Sequence, residues 1–517
     1  MNTNIENLEK ELWDSANNLR ANSELKSSEY SYPVLGIIFL KYADYKFSIL
    51  ENEFKNKDNK KFKKIGKDDY LASGAIYLNG KARFKYLLEL PENENTGLKI
   101  NESVDLIEKD NPDLKDILPK IYTKMDNVLL VELLRTIDKI PMNIEGDAFG
   151  RIYEYFLNKF ALSEGQKGGE FFTPTSIVKL IIEIIEPNHG RIYDPACGSG
   201  GMFVQSTNFI KKNNLSKKNH ISIFGQERVL DTVRLNKMNL AVHGLAGDIR
   251  QGNCYYDDLH ESLNKFDFVI ANPPFNVKKV NKEKIKDDKR YPFGMPTADN
   301  ANYIWIQMFY SSMNEQGRAG FVMANSALDA RGNELTIRKK LIEENVIDII
   351  ISIGTNFFYS VTLPCTLWFF DKNRNISERK NNILFIDARE IFTPISKAHN
   401  EFNGQQIEFL SNIVKLYRGQ NITNFFDSEN LTYKYFPEKK FKNVNDLCKS
   451  VPIEEIVQRK YNLNPGLYID LKLKEINKEE IVNELSNQIK QIDELNNDNR
   501  ILEKELSFNI KKYLESS

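Results

Sequence analysis

Cysteine, histidine and tryptophan are scarce in this sequence of 517 residues, which contains four cysteines, five histidines and three tryptophans. The cysteines, at positions 197, 254, 365 and 448, are far apart, and no Cys-x-x-Cys pair or Cys/His cluster occurs. This spacing argues against a disulfide framework and against a structural zinc site. We therefore expect a cytoplasmic protein that holds no metal.

Long apolar runs and net charge are also missing. Unbroken apolar stretches, such as residues 37–40, are far shorter than the roughly 20 residues of a membrane span, and the N-terminus does not resemble a signal peptide. The 71 basic and 72 acidic residues leave a formal charge of −1. This balance gives no support for nucleic-acid binding, but it leaves room for a local basic face.

The chain is too long for one core, and its patterns predict three parts. Residues 1–150 are predicted to be a helical interaction domain, because apolar residues recur at spacings of three and four in its first 20 residues. Residues 32–47 are predicted to form a buried helix, and the lysine-rich residues 55–68 a solvated loop. Residues 451–517 are predicted to form a helical, coiled-coil-like tail for subunit assembly.

Residues 151–450 show a different pattern, in which short β-branched runs alternate with helical periods. This alternation predicts an α/β domain with a mostly parallel, Rossmann-like sheet. In such sheets ligands bind beyond the carboxyl ends of the strands. The predicted strands are 191–193, 220–224, 266–271, 319–324, 346–353 and 366–370, and the predicted helices lie near 201–212, 228–242, 303–314 and 333–345.

Two loops interrupt this alternation, a short polar one at 211–220 and a longer one at 277–300. The longer loop is basic, and two interpretations stay open for it. Charge runs are usually solvated surface, whereas a DNA-facing loop that orders on binding would also need cations. Its basic residues are Lys278, Lys279, Lys282, Lys284, Lys286, Lys289 and Arg290.

The tail carries a heptad pattern between 481 and 506. Leu485, Ile492, Asn499 and Leu506 share one heptad position, and residues 481, 488, 495 and 502 share the other. A polar Asn in such a seam can fix register against a partner helix. An amphipathic helix packed on its own domain would show the same pattern.

A glycine-rich turn follows the first predicted strand, in the sequence Asp194-Pro-Ala-Cys-Gly198-Ser199-Gly200-Gly. Glycines there let the backbone approach a ligand closely. The turn matches neither the P-loop nor the dinucleotide pattern. An acid at the strand end disfavours a pyrophosphate but suits an ammonium or a hydroxyl. These features favour S-adenosyl-L-methionine, which carries both an ammonium and a sulfonium.

A second acid, Glu227, ends the next predicted strand. An acid at this place in a nucleotide-binding sheet can accept hydrogen bonds from both ribose hydroxyls. The separation from Asp194 is longer than the usual ~20 residues, and the polar insertion 211–220 accounts for the excess.

The strongest motif is Asn272-Pro273-Pro274-Phe275, which directly follows the apolar strand 266–271. Proline cannot continue the ladder, so the strand stops there. The Asn272 amide oxygen and the Pro273 carbonyl are two acceptors beside an aromatic ring, an arrangement that suits a planar amine. Since Asn is neutral, it would orient and polarise the amine rather than act as a base. A base must leave the duplex to reach such a pocket.

Together these residues resemble the amino-methyltransferases that act on adenine in DNA. Residues 168–174 resemble a further cofactor-binding motif of these enzymes, in the subset in which that motif precedes the glycine-rich turn in the sequence. The flanks are similar to the modification subunit of type I restriction-modification systems, in residues 34–45, 331–334 and 357–364. The resemblance covers most of the chain.

The resemblance implies a set of site residues. Asn272, Pro273, Pro274 and Phe275 would form the catalytic turn that holds a flipped adenine. Asp257 would contact the cofactor's adenine, with Asp248 as the alternative. The other cofactor-binding residues would be Gly168, Gly169, Glu170, Phe171, Phe172, Thr173, Asp194, Gly198, Ser199, Gly200 and Glu227.

The resemblance also implies partners. Double-stranded DNA would be methylated at the N6 amino group of adenine, and a separate specificity subunit would recognise the sequence. A second copy of this chain would complete a complex of two modification subunits and one specificity subunit, which a restriction subunit can join. No membrane partner is expected.

Two other functions are compatible with parts of the pattern. An amino-methyltransferase acting on a protein glutamine or on guanine in RNA could use the same Asn-Pro-Pro-aromatic turn, although the helical flanks argue against a small protein methyltransferase. A catalytically silent scaffold could keep the fold, but Asp194, Glu227 and Asn272 are all present. A nuclease is disfavoured because no Pro-Asp…Asp/Glu-x-Lys cluster occurs.

Overall fold

The computed structural model describes residues 12–14, 17, 27–57, 66–73, 75–140, 152–157, 159, 173–213, 220–358, 362–377 and 379–470, with scattered positions from 486 to 506. The chain divides into two compact units, Met1–Ile469 and Asp470–Ser517. Within the described residues, no helix is long and apolar enough to cross a membrane, and no group of His, Cys, Asp and Glu side chains forms a potential metal site.

The helices of the first unit are distributed along its whole length, and residues 152–157 are also helical. They are α1 (Ser27–Lys57), α2 (Lys67–Ala72), α3 (Phe84–Leu88), α4 (Thr96–Asp110), α5 (Asn127–Asp138), α6 (Thr175–Ile185), α7 (Gly201–Lys212), α8 (Leu230–Val242), α9 (Lys282–Ile285), α10 (Asn302–Ser312), α11 (Asn333–Glu343), α12 (Gly404–Tyr417), α13 (Glu429–Tyr435) and α14 (Ile453–Gln458).

Polar caps begin several of these helices. The side chains of Asn95, Asp126 and Asn403 each accept a hydrogen bond from a backbone amide in the first turn of α4, α5 and α12. Such caps satisfy amides that lack a partner inside the helix.

Among the residues that the structure describes, the first strand begins at Gly190. The strands are β1 (Gly190–Asp194), β2 (Ile221–Glu227), β3 (Gly247–Gln251), β4 (Phe266–Ala271), β5 (Met313–Ala324), β6 (Ile347–Ile353), β7 (Cys365–Asp371), β8 (Asn382–Ala388), β9 (Thr393–Ser396), β10 (His399–Glu401) and β11 (Cys448–Pro452).

Nine strands form one sheet in the order β11-β8-β6-β7-β5-β4-β1-β2-β3, and β9 pairs with β10 in a hairpin. The pairs β2–β3, β1–β2, β1–β4, β4–β5 and β6–β8 are parallel, while β7 and β11 run antiparallel to their neighbours. The stretch β3-β2-β1-β4-β5 has the order of a doubly wound nucleotide-binding sheet. The predicted α/β class with a mostly parallel sheet is confirmed.

The central strands are buried on both faces. Along β7, Leu367 and Phe369 belong to one hydrophobic cluster, together with α6 and α12, while Trp368 and Phe370 belong to another, together with α10 and α11. Successive strand residues point to opposite faces, so helices cover both sides. This burial explains why these strands read as continuous apolar runs rather than alternating ones.

A third hydrophobic cluster lies in the helical N-terminal part. It contains the buried side chains of α1, α4 and α5, and it extends to the helical residues 152–157. Residues 33–40 of α1 are all buried, so the predicted buried helix at 32–47 is confirmed. Two residues of α8, Met238 and Val242, also belong to this cluster. The helical part therefore packs on a helix of the sheet domain.

The expected boundary at 450/451 falls inside a strand. β11 pairs antiparallel with β8 at the edge of the sheet, and Tyr468 stacks on Phe385 with ring centroids 4.5 Å apart. Residues 451–469 thus pack on the sheet, and the separate unit begins at Asp470. The cause is the apolar content of 451–469, whose Val451, Ile456 and Leu463 are fully buried.

The loop 277–300 is folded, and two of its basic residues are used in internal contacts. Arg290 is 2% exposed, pairs with Asp288 at 2.7 Å and donates to the Cys254 carbonyl at 2.8 Å. Lys282 donates to the Pro296 carbonyl at 2.9 Å. These two cations hold the loop together, so neither faces a nucleic acid.

Several sequence predictions fall on residues that lie outside the described part. They include Leu8, Ala16 and Leu19, most of the lysine-rich segment 55–68, and half of the heptad seam. Of that seam, Ile492, Asn499, Leu502 and Leu506 are described, and all four are helical and exposed.

Candidate active site

Two strand ends bring the strongest sequence motifs to one edge of the sheet. β1 ends at Asp194 and β4 ends at Ala271, next to Asn272, and the two strands are parallel neighbours. The strand order reverses between them, and a crevice outside the carboxyl ends at such a point is where ligands bind in open α/β sheets.

An open cleft lies at these strand ends, at the place where ligands bind in sheets of this kind. Its walls come from residues 154–157, from the start of α6, from the glycine-rich turn and from α7 and α8. The lining residues are Glu154, Leu157, Thr173, Thr175, Val178, Asp194, Ala196, Cys197, Gly198, Ser199, Gly201, Met202, Gln205, Asn239 and Asn272.

The glycine-rich turn requires its glycines. Gly198 and Gly200 have φ angles of 48° and 83°, in the left-handed region. A Cβ atom on Gly200 would lie 2.9 Å from Asn236 Oδ1. The turn is closed by the Cys197 amide, which donates to the Gln226 carbonyl at 3.1 Å.

Asp194 is a buried carboxylate on the floor of the cleft, with 3% of its surface exposed. Its Oδ1 accepts a hydrogen bond from the Ala196 amide at 2.9 Å. The pKa of the Asp194 carboxyl is raised to about 8, chiefly by burial; the hydrogen bond from the Ala196 amide lowers it, and the charge of Glu227 contributes to the rise. A cation in the cleft would favour the ionised form, because an opposite charge stabilises a carboxylate.

Glu227 lies at the end of β2, directly beside the glycine-rich turn. Its Oε2 accepts from the Gly198 amide at 3.3 Å, and its Oε1 accepts from the Val229 amide at 3.0 Å. Each carboxylate oxygen has a further lone pair. The acid is therefore oriented by the backbone and keeps capacity for a ligand.

The Asn-Pro-Pro-Phe turn presents an amide without a partner. Both polar side-chain atoms of Asn272 are shielded from solvent and have no hydrogen-bond partner among the described residues. Unpaired buried polar atoms are rare and call for an explanation. Pro273 is buried, Pro274 is exposed and Phe275 is half-buried.

The segment after this turn is pinned to α10. Asn276 and Asn302 exchange two hydrogen bonds of 2.9 Å, from the Asn276 amide to Asn302 Oδ1 and from Asn302 Nδ2 to Asn276 Oδ1. This pair fixes the direction in which the chain leaves the cleft.

The two acids considered for the cofactor's adenine differ in their surroundings. Asp248 receives two hydrogen bonds from Arg250, of 2.9 and 2.6 Å, and they lower the pKa of its carboxyl. Asp257 is exposed, and its backbone carbonyl accepts from Gln226 Nε2 at 2.8 Å. Asp248 is therefore committed to Arg250, while the Asp257 carboxylate is open to solvent.

Five of the site residues expected from the sequence line the cleft, namely Thr173, Asp194, Gly198, Ser199 and Asn272. Those that are not among its lining residues are Gly200, Glu227, Asp257, Pro273, Pro274 and Phe275. Gly168, Gly169, Glu170, Phe171 and Phe172 lie outside the described residues.

Sequence analysis missed four polar residues of the site. Glu154 and Gln205 line the cleft and are joined by a hydrogen bond of 3.0 Å. Asn236 and Asn239 of α8 donate to the carbonyls of the glycine-rich turn. The available signal was the pair of asparagines three residues apart on a helix that directly follows the acid of β2.

The sequence matches the N-6 DNA Methylase family over residues 144–477, which is more than half of the chain. The chain belongs to the N-6 DNA methylase family. Residues 8–137 of this methylase also match the HsdM N-terminal domain. The membership confirms the resemblance to type I modification subunits, and the enzyme class is adenine-specific DNA methyltransferase.

Curated relatives and a solved structure agree with this assignment. The methylase is 36% identical over 494 residues to the type I restriction enzyme MjaIX methylase subunit of Methanocaldococcus jannaschii, covering 90% of this chain and 84% of that protein. It is 33% identical over 384 residues to the HindI methylase subunit of Haemophilus influenzae, covering 72% and 82%. Its fold is similar to that of a type I methyltransferase subunit from Streptococcus thermophilus, with a TM-score of 0.72 and 22% identity, covering 90% and 100%.

Proposed function

We propose that this methylase transfers a methyl group from S-adenosyl-L-methionine to the N6 amino group of a flipped adenine in double-stranded DNA. The observation that carries the proposal is the Asn272 amide, whose two polar atoms are buried and have no partner in the described part of the chain, on the wall of the cleft that Asp194 and the glycine-rich turn also line. Such an amide needs a polar ligand.

The residues of the cleft fit the cofactor. Asp194 and Glu154 place carboxylates where the ammonium of the amino-acid part needs negative charge. Gly198 and Ser199 allow close approach of the backbone, Thr173 lies on the same wall, and Glu227 is oriented for the ribose hydroxyls. Asp257 is the acid available for the adenine ring. When bound, the cofactor supplies a methyl group activated by a sulfonium.

The adenine side of the reaction depends on acceptors rather than on a base. The N6 amine is a weak nucleophile because its lone pair is delocalised into the ring. Asn272 Oδ1 and the Pro273 carbonyl accept its two N–H bonds, which favours a pyramidal nitrogen with its lone pair directed at the methyl group. Phe275 stacks on the base, an interaction worth about 1–3 kcal/mol. Orientation and fixed dipoles supply the rate enhancement.

The exposed cations of the loop 277–300 suit a DNA backbone. Lys278 and Lys279 are exposed and form no ion pair with any described residue, whereas Lys286 pairs with Glu283 at 3.0 Å. Lys278 lies only three residues after Phe275, the last residue of the adenine-binding turn, and Lys279 follows it. Cations at this place would contact phosphates beside the flipped base.

Sequence specificity in this proposal comes from a separate specificity subunit. The exposed Ile492, Leu502 and Leu506 of the second unit, together with Asn499, form part of an apolar helical seam that suits a partner helix. A complex with two copies of this methylase and one specificity subunit, to which a restriction subunit can bind, accords with the type I relatives.

The test is mass spectrometry of N6-methyladenine in DNA from cells that express the methylase with its specificity subunit. Wild type is expected to produce the modified base and Asn272→Ala to produce none. The matched control is Asn373→Ala, an exposed asparagine at the start of a short helix beyond β7, which should leave the yield unchanged. If DNA stays unmodified although the wild type binds the cofactor, the substrate is wrong, and proteins and RNA should be tested.

A further inference from the structure

Helix α8 supports the glycine-rich turn from below through two asparagines. Asn236 and Asn239 are 0% and 1% exposed, and their spacing of three places them on one face of the helix. Asn236 Nδ2 donates to the Gly198 carbonyl at 2.9 Å, and Asn239 Nδ2 donates to the Ser199 carbonyl at 2.8 Å. Both amides therefore hold the backbone of the turn.

These hydrogen bonds leave two buried oxygen atoms. A carbonyl can only accept, so each amide must point its nitrogen at the turn and its oxygen elsewhere. Asn236 Oδ1 and Asn239 Oδ1 are both shielded from solvent and without a partner among the described residues. The two residues differ in what covers them, since Asn236 lies under Gly200 while Asn239 lines the cleft.

We propose that Asn239 is a cofactor-binding residue whose Oδ1 accepts a hydrogen bond from the ammonium of the amino-acid part of S-adenosyl-L-methionine. The inference rests on the proposed function and assigns that end of the cofactor to α8. Like Asn272, Asn239 has a buried acceptor on the wall of the cleft that no described residue satisfies, and a ligand in the cleft would supply the missing donor.

A neutral acceptor suits this position better than a third acid would. Asp194 is fully buried and lies close enough to Glu227 for their charges to repel each other. The Glu154 carboxylate already accepts a hydrogen bond from Gln205 Nε2. An amide oxygen adds a partner for the ammonium without adding a like charge, which would raise the cost of ionising Asp194.

Calorimetric binding to the full-length methylase tests the inference with two probes. S-Adenosylhomocysteine keeps the amino-acid part, and 5′-methylthioadenosine lacks it. Asn239→Ala should lower the affinity for S-adenosylhomocysteine about tenfold, which corresponds to the loss of one charge-assisted hydrogen bond. The affinity for 5′-methylthioadenosine should change by less than about twofold. Equal weakening of both probes would show that Asn239 only shapes the turn, and the inference would be wrong.

Asn236→Ala is the matched control, because it removes the same kind of support without a group that lines the cleft. It should lower the affinity for both probes by the same factor. A selective loss of affinity for S-adenosylhomocysteine in this variant overturns the inference. If Asn239→Ala unfolds on thermal denaturation, Asn239→Ser decides instead, because serine keeps a hydroxyl donor but lacks the amide oxygen. It should weaken the binding of S-adenosylhomocysteine more than that of 5′-methylthioadenosine, and equal weakening of both overturns the inference. If wild type binds neither probe, the proposed function fails as well.

Discussion

The backbone amide of Gly198 donates a hydrogen bond to Glu227 Oε2, so the acid at the end of β2 is tied to the glycine-rich turn at the end of β1. The second oxygen, Oε1, accepts from Val229. One carboxylate thus fixes the two adjacent strand ends that flank the cofactor cleft. A change at Glu227 acts on the shape of the turn as well as on any ligand.

Replacing Glu227 should therefore weaken cofactor binding, and the loss should be larger for alanine than for glutamine. Glu227→Gln keeps an acceptor and the size of the side chain, and we expect a loss of about tenfold in affinity for S-adenosylhomocysteine. Glu227→Ala removes both acceptors and should cost about a hundredfold, in line with 1.4 kcal/mol for each factor of ten. Calorimetry measures both values, and equal affinities of the two variants and wild type would contradict a role in binding.

Asp194 should make the ligand-free protein less stable as pH rises. Its folded pKa, about 8, lies above the ordinary aspartate value, so the folded state holds the proton more tightly than the unfolded state. This contribution to stability is complete below about pH 4 and is lost as pH rises to about 8. Each pKa unit corresponds to about 1.4 kcal/mol.

Asp194→Asn removes this pH dependence. Urea denaturation without cofactor should show that the stability of the variant relative to wild type increases from pH 5 to pH 8. Parallel stability profiles of the two proteins would contradict a raised pKa. The variant should also lose affinity for S-adenosylhomocysteine, since the neutral amide attracts the ammonium less.

Lys278 and Lys279 should contribute to DNA binding rather than to the methyl-transfer step. In the complex with the specificity subunit, the double substitution to alanine should raise KM for DNA several-fold and leave kcat unchanged. The slope of log K against log salt should fall by roughly one to two, one for each phosphate that is no longer neutralised. Lys286→Ala is the control, because Lys286 already pairs with Glu283. A salt slope equal to that of wild type would exclude binding of these lysines to phosphates.

Arg290 should matter for stability, in contrast to its neighbour Lys289. Arg290→Ala leaves the half-buried Asp288 without its ion-pair partner and the Cys254 carbonyl without its donor, whereas the Tyr255 carbonyl keeps the Tyr291 hydroxyl. We expect a loss of about 3 kcal/mol in the free energy of unfolding, measured by urea denaturation. Lys289→Ala, at an exposed position, should change it by less than about 0.5 kcal/mol. Similar values for both would show that Arg290 is not an internal support.

The apolar seam of the tail should bind a partner. Replacing Leu502 and Leu506 with aspartate should prevent co-elution with the specificity subunit in size-exclusion chromatography, because charges in a helical seam oppose burial. Glu503→Ala, at an exposed position between them, should co-elute as wild type does. Unchanged co-elution of the double variant would place the binding surface elsewhere.

Much of the catalytic half could be predicted because its signals are local. β4 matches the predicted strand 266–271, and α7 matches the predicted helix 201–212, since apolar runs and helical periods need no distant contact. β3 was missed because it is an edge strand in which only Ile249 is buried. The antiparallel direction of β7 and the pairing of β11 depend on interactions between distant parts of the chain, which no local pattern encodes.

The candidate site divides in the same way. Asp194 ends β1, Ser199 lies in the turn after it, and Asn272 directly follows β4, so the motifs and the rule for strand ends locate all three. Asn236 and Asn239 were missed because polar residues on a helix usually indicate a solvated face. In α8 the two asparagines are buried instead, because they hold the glycine-rich turn, and only the structure shows where that turn lies.

Helix α8 contributes to two hydrophobic clusters at once, with Met238 and Val242 in the N-terminal cluster and Val233 and Leu240 in a cluster of the sheet. Its two asparagines hold the glycine-rich turn. A fragment restricted to the sheet would expose Met238 and Val242 to water, so we expect it to be less stable than the full chain. Displacement of the N-terminal helices would reach the cleft through α8 and through residues 152–157.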